Sequence, residues 1–189
     1  MLLGIVGLNG SGKDSVAHYL IKKHNFLHKD LGQEIRDELK RLGKDFLNRT
    51  EMINLGNEKR KEFGADYWAK RALENYSPES NFIITSVRNP SEAELIKSKR
   101  GFIIEVFAEQ NVRYDRTILR VKNDSNAHGD VVSFDEFKKK EELELTSTDP
   151  SKQQLLACIK MASHRIDNNG SLEELSKKID LLLEELMIV

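Results

Sequence analysis

Gly7, Gly10 and Gly12 precede Lys13 in the stretch GLNGSGKDS (7–15), and Gly7, Gly12 and Lys13 match the phosphate-binding spacing G-x-x-x-x-G-K. The chemistry requires glycines because backbone N–H groups must wrap phosphate oxygens without Cβ obstruction, while the start of a following helix adds partial positive charge. Leu8, Asn9, Gly10, Ser11 and Gly12 are therefore candidate contacts to the phosphates of ATP, joined by Lys13, Asp14 and Ser15 at the helix start. Lys13 is also a catalytic candidate, since an ammonium group there follows charge as it develops on the transferring phosphoryl. Asp14 stands where Ser or Thr is commonest. A carboxylate is a hard oxygen ligand that Mg²⁺ accepts, so Asp14 is a candidate metal contact, direct or through water. Alternatively, it only complements the helix N-terminus.

Such a loop works only between a strand and a helix. The apolar run LLGIV (2–6) precedes it and KDSVAHYLIKK continues it as a helix. Further apolar runs at FIIT (82–85) and FIIEVF (102–107), with weaker candidates at 25–29 and 164–167, predict five strands separated by helical stretches. That alternation implies an α/β chain with a five-stranded parallel sheet covered on both faces. Helix starts are expected at Asn89-Pro90 with Glu92, Ser133 with Glu136, Asp149-Pro150, and Ser171 with Glu174. Leu172, Leu175, Ile179, Leu182, Leu183 and Leu186 then form one core-facing helical stripe.

The chain has 189 residues, enough for one buried core, and a single domain is expected. Two segments read as insertions beyond the C-terminal strand edge, where open parallel sheets bind ligands. They are residues 30–76, helical and charged, and residues 113–148, which include the loop-like KNDSNAHGD (122–130). Charge is 32% of the chain but nets to −1, which argues against a nucleic-acid partner held by bulk positive charge. The single cysteine, Cys158, excludes an intrachain disulfide and fits a reduced, cytoplasmic setting. The start MLLGIVG reads as a strand rather than a signal or membrane anchor. Neither metal-ligand spacing among the five histidines nor a nucleophile elbow is present in the sequence.

The loop, the arginines after the strand ends and the segment IDNNGSLEEL (166–175) together resemble the adenylate-kinase-like P-loop small-molecule kinases, among them nucleoside and deoxynucleoside monophosphate kinases, dephospho-CoA kinases and archaeal adenylate-kinase-related proteins. The resemblance spans most of the chain, and some members also carry SGKD in the loop. It implies a three-layer P-loop NTPase fold with a helical acceptor-binding insertion (30–76), a small lid (113–148) and a core of 1–29, 77–112 and 149–189. It also implies ATP with Mg²⁺, small-molecule nucleotide substrates, and a monomer or weak dimer. By the same resemblance, Asn169, Gly170 and Ser171 contact the adenine ring, and Arg116 and Arg120 of VRYDRTILR (112–120) belong to a lid helix that closes over ATP and acts in transfer. Across the lid, Lys140 and Glu141 replace an Arg and Asp pair, and a plain charged helix is expected there.

On the acceptor side the resemblance assigns Arg36, Arg60 and Arg88 to an anionic phosphate, with Arg88 in TSVRNPSEAE also counted as catalytic. The relatives' aspartate at that strand end is replaced by Thr85, so Asp14 and Thr85 are read as an exchanged pair serving the metal, in part through water. Asp30 has two readings, as the acceptor-side base of a dephospho-CoA kinase or as the cap of the next helix with Gln33. The expected activity is transfer of the γ-phosphoryl of ATP to a nucleoside or deoxynucleoside monophosphate. The alternatives are a dephospho-CoA kinase and a regulatory or assembly ATPase of the same fold.

Overall fold

A computed structural model describes residues 1–123, 133–145 and 147–188. Five parallel strands run in the order β2-β3-β1-β4-β5, where β1 is Leu2–Val6, β2 Leu27–Asp30, β3 Phe82–Thr85, β4 Phe102–Phe107 and β5 His164–Asp167. Alternation along β1 divides the core between the two faces. Leu2 and Val6 pack with Leu39, Trp68, Ile84 and Ile96 on one side, whereas Leu3 and Ile5 pack with Leu20, Ile83, Ile104 and Ile179 on the other. Gly4 lies opposite Ile103 in the sheet, where a Cβ would come within 2.8 Å of the Ile103 and Ile96 side chains. A larger residue here would need the ends of the Ile103 and Ile96 side chains to shift.

The loop after β1 leads directly into α1 (Lys13–His24). Between β2 and β3 lie α2 (Leu31–Arg41), α3 (Arg49–Phe63) and α4 (Tyr67–Ala72), followed after β3 by α5 (Pro90–Ser98). After β4 come α6 (Gln110–Asn123), α7 (Phe134–Leu145) and α8 (Leu155–Lys160), and α9 (Leu172–Ile188) closes the chain against α1. Among the described residues no helix is long and apolar enough to cross a membrane. The expected loop at 122–130 lies outside the described residues from 124 onward, as does His128.

All five strands form where the apolar runs place them, with β2 shifted toward its C-terminus. Asn25 takes a left-handed conformation (φ 55°) that ends α1, so the strand begins at Leu27. Asn89, Ser133 and Ser171 cap their helices with reciprocal bonds to Glu92, Glu136 and Glu174. Asp149-Pro150 does not start a helix. The Asp149 carboxylate instead accepts from the Ser151 N–H (2.9 Å) and hydroxyl (2.7 Å), closing a turn, and α8 begins at Leu155. Leu172 also departs from the expected stripe, being 71% exposed in the first turn of α9, before the helix reaches the sheet. Cys158 is buried on α8, and burial pushes its thiol up to about 12, which leaves it unreactive.

Candidate active site

The phosphate loop crosses the C-terminal edge of the sheet beside the neighbours β3 and β4 of the central strand. Gly10 (φ 77°) and Gly12 (φ 94°) adopt left-handed conformations, which only glycine takes without strain. A Cβ at Gly10 would meet the Arg113 carbonyl at 2.4 Å, and one at Gly12 the Asn168 amide nitrogen at 2.1 Å. The loop therefore packs on the α6 backbone at Arg113 and on the Asn168 side chain after β5. Asn168, buried at 4% exposure, donates to the Ser11 carbonyl (2.8 Å) while its N–H bonds the Phe107 carbonyl (2.7 Å). Lys13 Nζ donates to the Leu8 carbonyl across the loop (2.9 Å).

Two buried polar atoms at this loop have no partner, Ser11 Oγ and Arg116 Nη1. Arg116 Nη1 lies 4.0 Å from the position of a Gly12 Cβ. Buried donors without acceptors are costly, and phosphate oxygens would satisfy both. The loop thus fits a polyphosphate by its glycine cradle and by these two orphaned groups.

Arg113, which no motif singles out beside Arg116 and Arg120, ties α6 to this loop. Buried in α6 at 3% exposure, it donates to the Ala108 carbonyl (2.9 Å) and the Asn9 carbonyl (3.3 Å), and it pairs bidentately with Glu141 of α7, Nη2 to Oε2 at 3.0 Å. The α7 helix is accordingly not a plain charged helix. Its Glu141 is the carboxylate that permits a guanidinium to be buried beside the phosphate loop. The signal available in sequence was the Arg113, Arg116 and Arg120 register, which puts Arg113 one turn nearer the sheet.

A cavity of about 340 Å³ opens beside the loop. It brings together Lys13, Asp14 and Asn9 from the loop region with Asp30, Arg36 and Arg60 from β2 to α3, and with Arg88 and Arg120 from beyond β3 and β4. Arg49, the first residue of α3, also lines it and was missed because a helix-start arginine has no motif of its own. Ile35, Met52 and Ile53 form an apolar wall. A larger cavity of about 510 Å³ sits at the opposite end of the sheet, around Tyr19, Phe26 and Leu183, with no phosphate-loop residue.

Asp30 caps α2 and lines the cavity. Its Oδ1 caps α2 by accepting from the Gln33 N–H (2.8 Å), while Oδ2 accepts from the Thr85 (2.9 Å) and Ser86 (3.0 Å) hydroxyls at the end of β3. Ser86 holds a left-handed conformation (φ 62°) that turns the chain there. Burial alone would raise the Asp30 pKa, but the bonds from Thr85, Gln33 and Ser86 outweigh it and hold the group below its ordinary value. Thr85, 1% exposed, also contacts His28 Nε2 (2.9 Å). Because its hydroxyl proton goes to Asp30, its oxygen accepts from the imidazole N–H. Desolvation lowers the His28 pKa against the opposing charges of Asp30 and Asp14. Thr85 therefore has Asp30 and His28 as its partners, while Asp14, exposed in the first turn of α1, faces the cavity.

Arg60 is 3% exposed and is held by Glu92, and Arg88 donates through Nη1 to Gln153 Oε1 (3.0 Å). Asn169, Gly170 and Ser171 do not join the cavity. They lie beyond β5, where Asn169 accepts from the Glu109 N–H (2.7 Å) and donates to Asp167 (2.8 Å), and Ser171 caps α9 with Glu174. Ser15 is half-buried in the first turn of α1. Among the described residues no group of three or more His, Cys, Asp or Glu side chains could hold a metal unaided.

A family model described as an AAA domain matches residues 3–144. The chain belongs to this AAA domain family. A UPF0200 protein of Methanothrix thermoacetophila is 29% identical over 187 residues, covering 98% of this chain and 97% of that protein. Among solved structures, shikimate kinase from Aquifex aeolicus superposes with a TM-score of 0.59 at 19% identity, covering 100% and 99% of the two chains. Shikimate kinase from Acinetobacter baumannii in complex with shikimate gives 0.54 at 18%, covering 97% and 93%. This AAA domain chain thus has the fold of the P-loop small-molecule kinases, as the sequence resemblance implied.

Proposed function

We propose that the protein is an ATP-dependent phosphotransferase that moves the γ-phosphoryl of ATP to a small nucleotide-type acceptor, a nucleoside or deoxynucleoside monophosphate. The observation that carries this reading is the single cavity joining Lys13 and Asp14 to the guanidinium groups of Arg36, Arg49, Arg60, Arg88 and Arg120. Phosphoryl transfer needs positioning and charge neutralisation more than covalent chemistry by the protein. In the proposed arrangement the glycine loop and Ser11 hold the ATP phosphates, Lys13 and Arg116 follow charge toward the leaving group, and Arg120 spans the junction. Arg36, Arg49 and Arg88 hold the incoming anion, with Arg60 behind them. Asp14 is the carboxylate proposed to face Mg²⁺, which when bound neutralises the β- and γ-oxygens. Asn169 to Ser171 are proposed to frame the adenine ring.

Asp30 favours an acceptor that is already ionised. All three of its hydrogen bonds stabilise the carboxylate, and its lowered pKa makes it a poor proton acceptor for a sugar hydroxyl. A monophosphate supplies its own ionised oxygen, whereas dephospho-CoA would need the base. The deciding experiment measures ADP release with ATP and Mg²⁺ against nucleoside monophosphates, deoxynucleoside monophosphates and dephospho-CoA, with Lys13→Ala as the control without turnover. Stimulation by a monophosphate supports the proposal. Stimulation by dephospho-CoA alone, or steady hydrolysis that no acceptor changes, rejects it in favour of the dephospho-CoA kinase or the ATPase.

A further inference from the structure

The turn that Asp149 closes on Ser151 leads to a side chain in the cavity. Gln153 lines it together with Arg36, Arg88 and Arg120, although it stands 65 residues from Arg88 in the chain. Three bonds hold this stretch against the start of α5. The buried Asn89 donates through Nδ2 to the Pro150 (2.7 Å) and Lys152 (3.0 Å) carbonyls, and the Gln154 N–H donates to the Arg88 carbonyl (2.8 Å). A fourth, from the Gln154 side chain to the Asp149 carbonyl (3.0 Å), closes the stretch on itself. Gln153 is thus fixed on both sides, at residues 152 and 154, without belonging to a helix or strand. In a helix begun at Pro150 the Pro150 and Lys152 carbonyls would bond within the helix, and Asn89 would lose them.

An amide side chain has two unlike ends, and its neighbour decides which end faces it. A guanidinium only donates, so the oxygen of Gln153 is the end that meets Arg88 Nη1 (3.0 Å). Its two amide N–H groups are then the donors that Gln153 has left for the cavity it lines, and among the described residues nothing accepts from them. Oxygen and nitrogen of one amide share a carbon, so these donors lie immediately beside the guanidinium assigned above to the incoming anion. On the phosphotransferase reading, we propose that Gln153 binds the acceptor phosphate with Arg88. Through Oε1 it positions the Arg88 fork, and through Nε2 it donates to the same phosphate. Glutamine suits both ends. A glutamate would hold Arg88 equally well but would set an anionic oxygen against the acceptor, and an apolar residue would serve neither end.

The test measures initial rates of ADP release with ATP and Mg²⁺ for the parent, Gln153→Met, Gln153→Glu and Gln154→Met, with AMP, GMP, CMP and UMP as separate acceptors. A hydrogen bond to a charged group is worth about tenfold or more in binding, so Gln153→Met should raise the acceptor KM by about that factor. The KM for ATP should stay within about twofold of the parent, since the lost contact is to the acceptor alone. Gln153→Glu should raise the acceptor KM further still. A residue that only tethered Arg88 would be replaced by Glu without loss, so an acceptor KM near the parent's in Gln153→Glu overturns the proposal. Gln154→Met gives up only the bond to the Asp149 carbonyl and controls for loosening of the turn. A rise there equal to that of Gln153→Met overturns the proposal, as does a matching rise in the KM for ATP. So does a rise in Gln153→Met confined to one base, because a donor to phosphate serves all four acceptors alike. A stimulated parent with unmoved variants rejects the role of Gln153 and leaves the phosphotransferase intact. If no monophosphate stimulates the parent while ATP is still hydrolysed, both fall together.

Discussion

Glu92 and Arg60 form an ion pair at 2.8 Å with side chains 0% and 2% exposed. The same carboxylate accepts from the backbone N–H groups of Arg88 (2.9 Å) and Asn89 (3.1 Å), so the N-terminus of α5 and a guanidinium from α3 share one buried anion. One capping glutamate thereby fixes two of the arginines that line the cavity.

Removing one partner of such a pair leaves a buried charge without compensation, which costs about 3–5 kcal/mol. Glu92→Ala is expected to lose that much in urea unfolding. Exposed Lys177, paired with Glu173 in α9, should lose under about 0.5 kcal/mol on truncation to Ala. Equal losses at the two sites would contradict the role assigned to the buried anion.

Arg113 and Glu141 make a second buried pair, and this one touches the phosphate loop through the Asn9 carbonyl. Under the proposed function, Arg113→Met and Glu141→Gln should each weaken ATP binding, read by calorimetric titration. In the double variant the losses should be less than additive, with a coupling of about 0.5–3 kcal/mol. Strict additivity would show that α7 and the loop do not communicate through this contact.

Under the proposed function, Asp14→Asn should raise the Mg²⁺ concentration needed for half-maximal ADP release by about tenfold or more while the fold, read by circular dichroism, is kept. The physical cause is loss of a hard anionic oxygen beside the β/γ-phosphates. Unchanged magnesium dependence with unchanged turnover would return Asp14 to the helix N-terminus alone.

Glu38 on α2 is tied to Arg41 at 2.6 Å and to Arg71 at 3.3 Å. Its carboxyl is lowered from the ordinary 4.5 to about 2, first by the Arg41 hydrogen bond, with Arg71 adding and burial opposing. A carboxylate whose folded pKa is depressed stabilises the fold fully above its unfolded pKa and loses that contribution as pH falls through the folded one. Stability owed to Glu38 should therefore fade between about pH 4.5 and pH 2. The urea midpoint of Glu38→Gln should lie below the parent at pH 7 and converge with it near the acid end. Parallel midpoint curves across that window would refute the linkage.

The sequence by itself determined the parts whose rules are local. Strands β1, β3 and β4 follow from apolar runs, the caps at Asn89, Ser133 and Ser171 from residues three apart, and the phosphate loop from glycines that only left-handed backbone explains at Gly10 and Gly12. Local rules erred where one local pattern competed with another or where a stripe began later than its first apolar residue. Asp149-Pro150 carries a helix-start pattern but closes a turn on Ser151, and Leu172 matches a stripe that starts one turn later. The tertiary structure decided what requires two remote segments to meet. Arg49 enters the cavity because α3 folds back over α2, Asp30 both caps α2 and binds Thr85 because β2 pairs with β3, and Arg113 can be buried because α7 returns Glu141 to it. A buried charge depends on the one partner that compensates it, and sequence spacing does not say which carboxylate that will be.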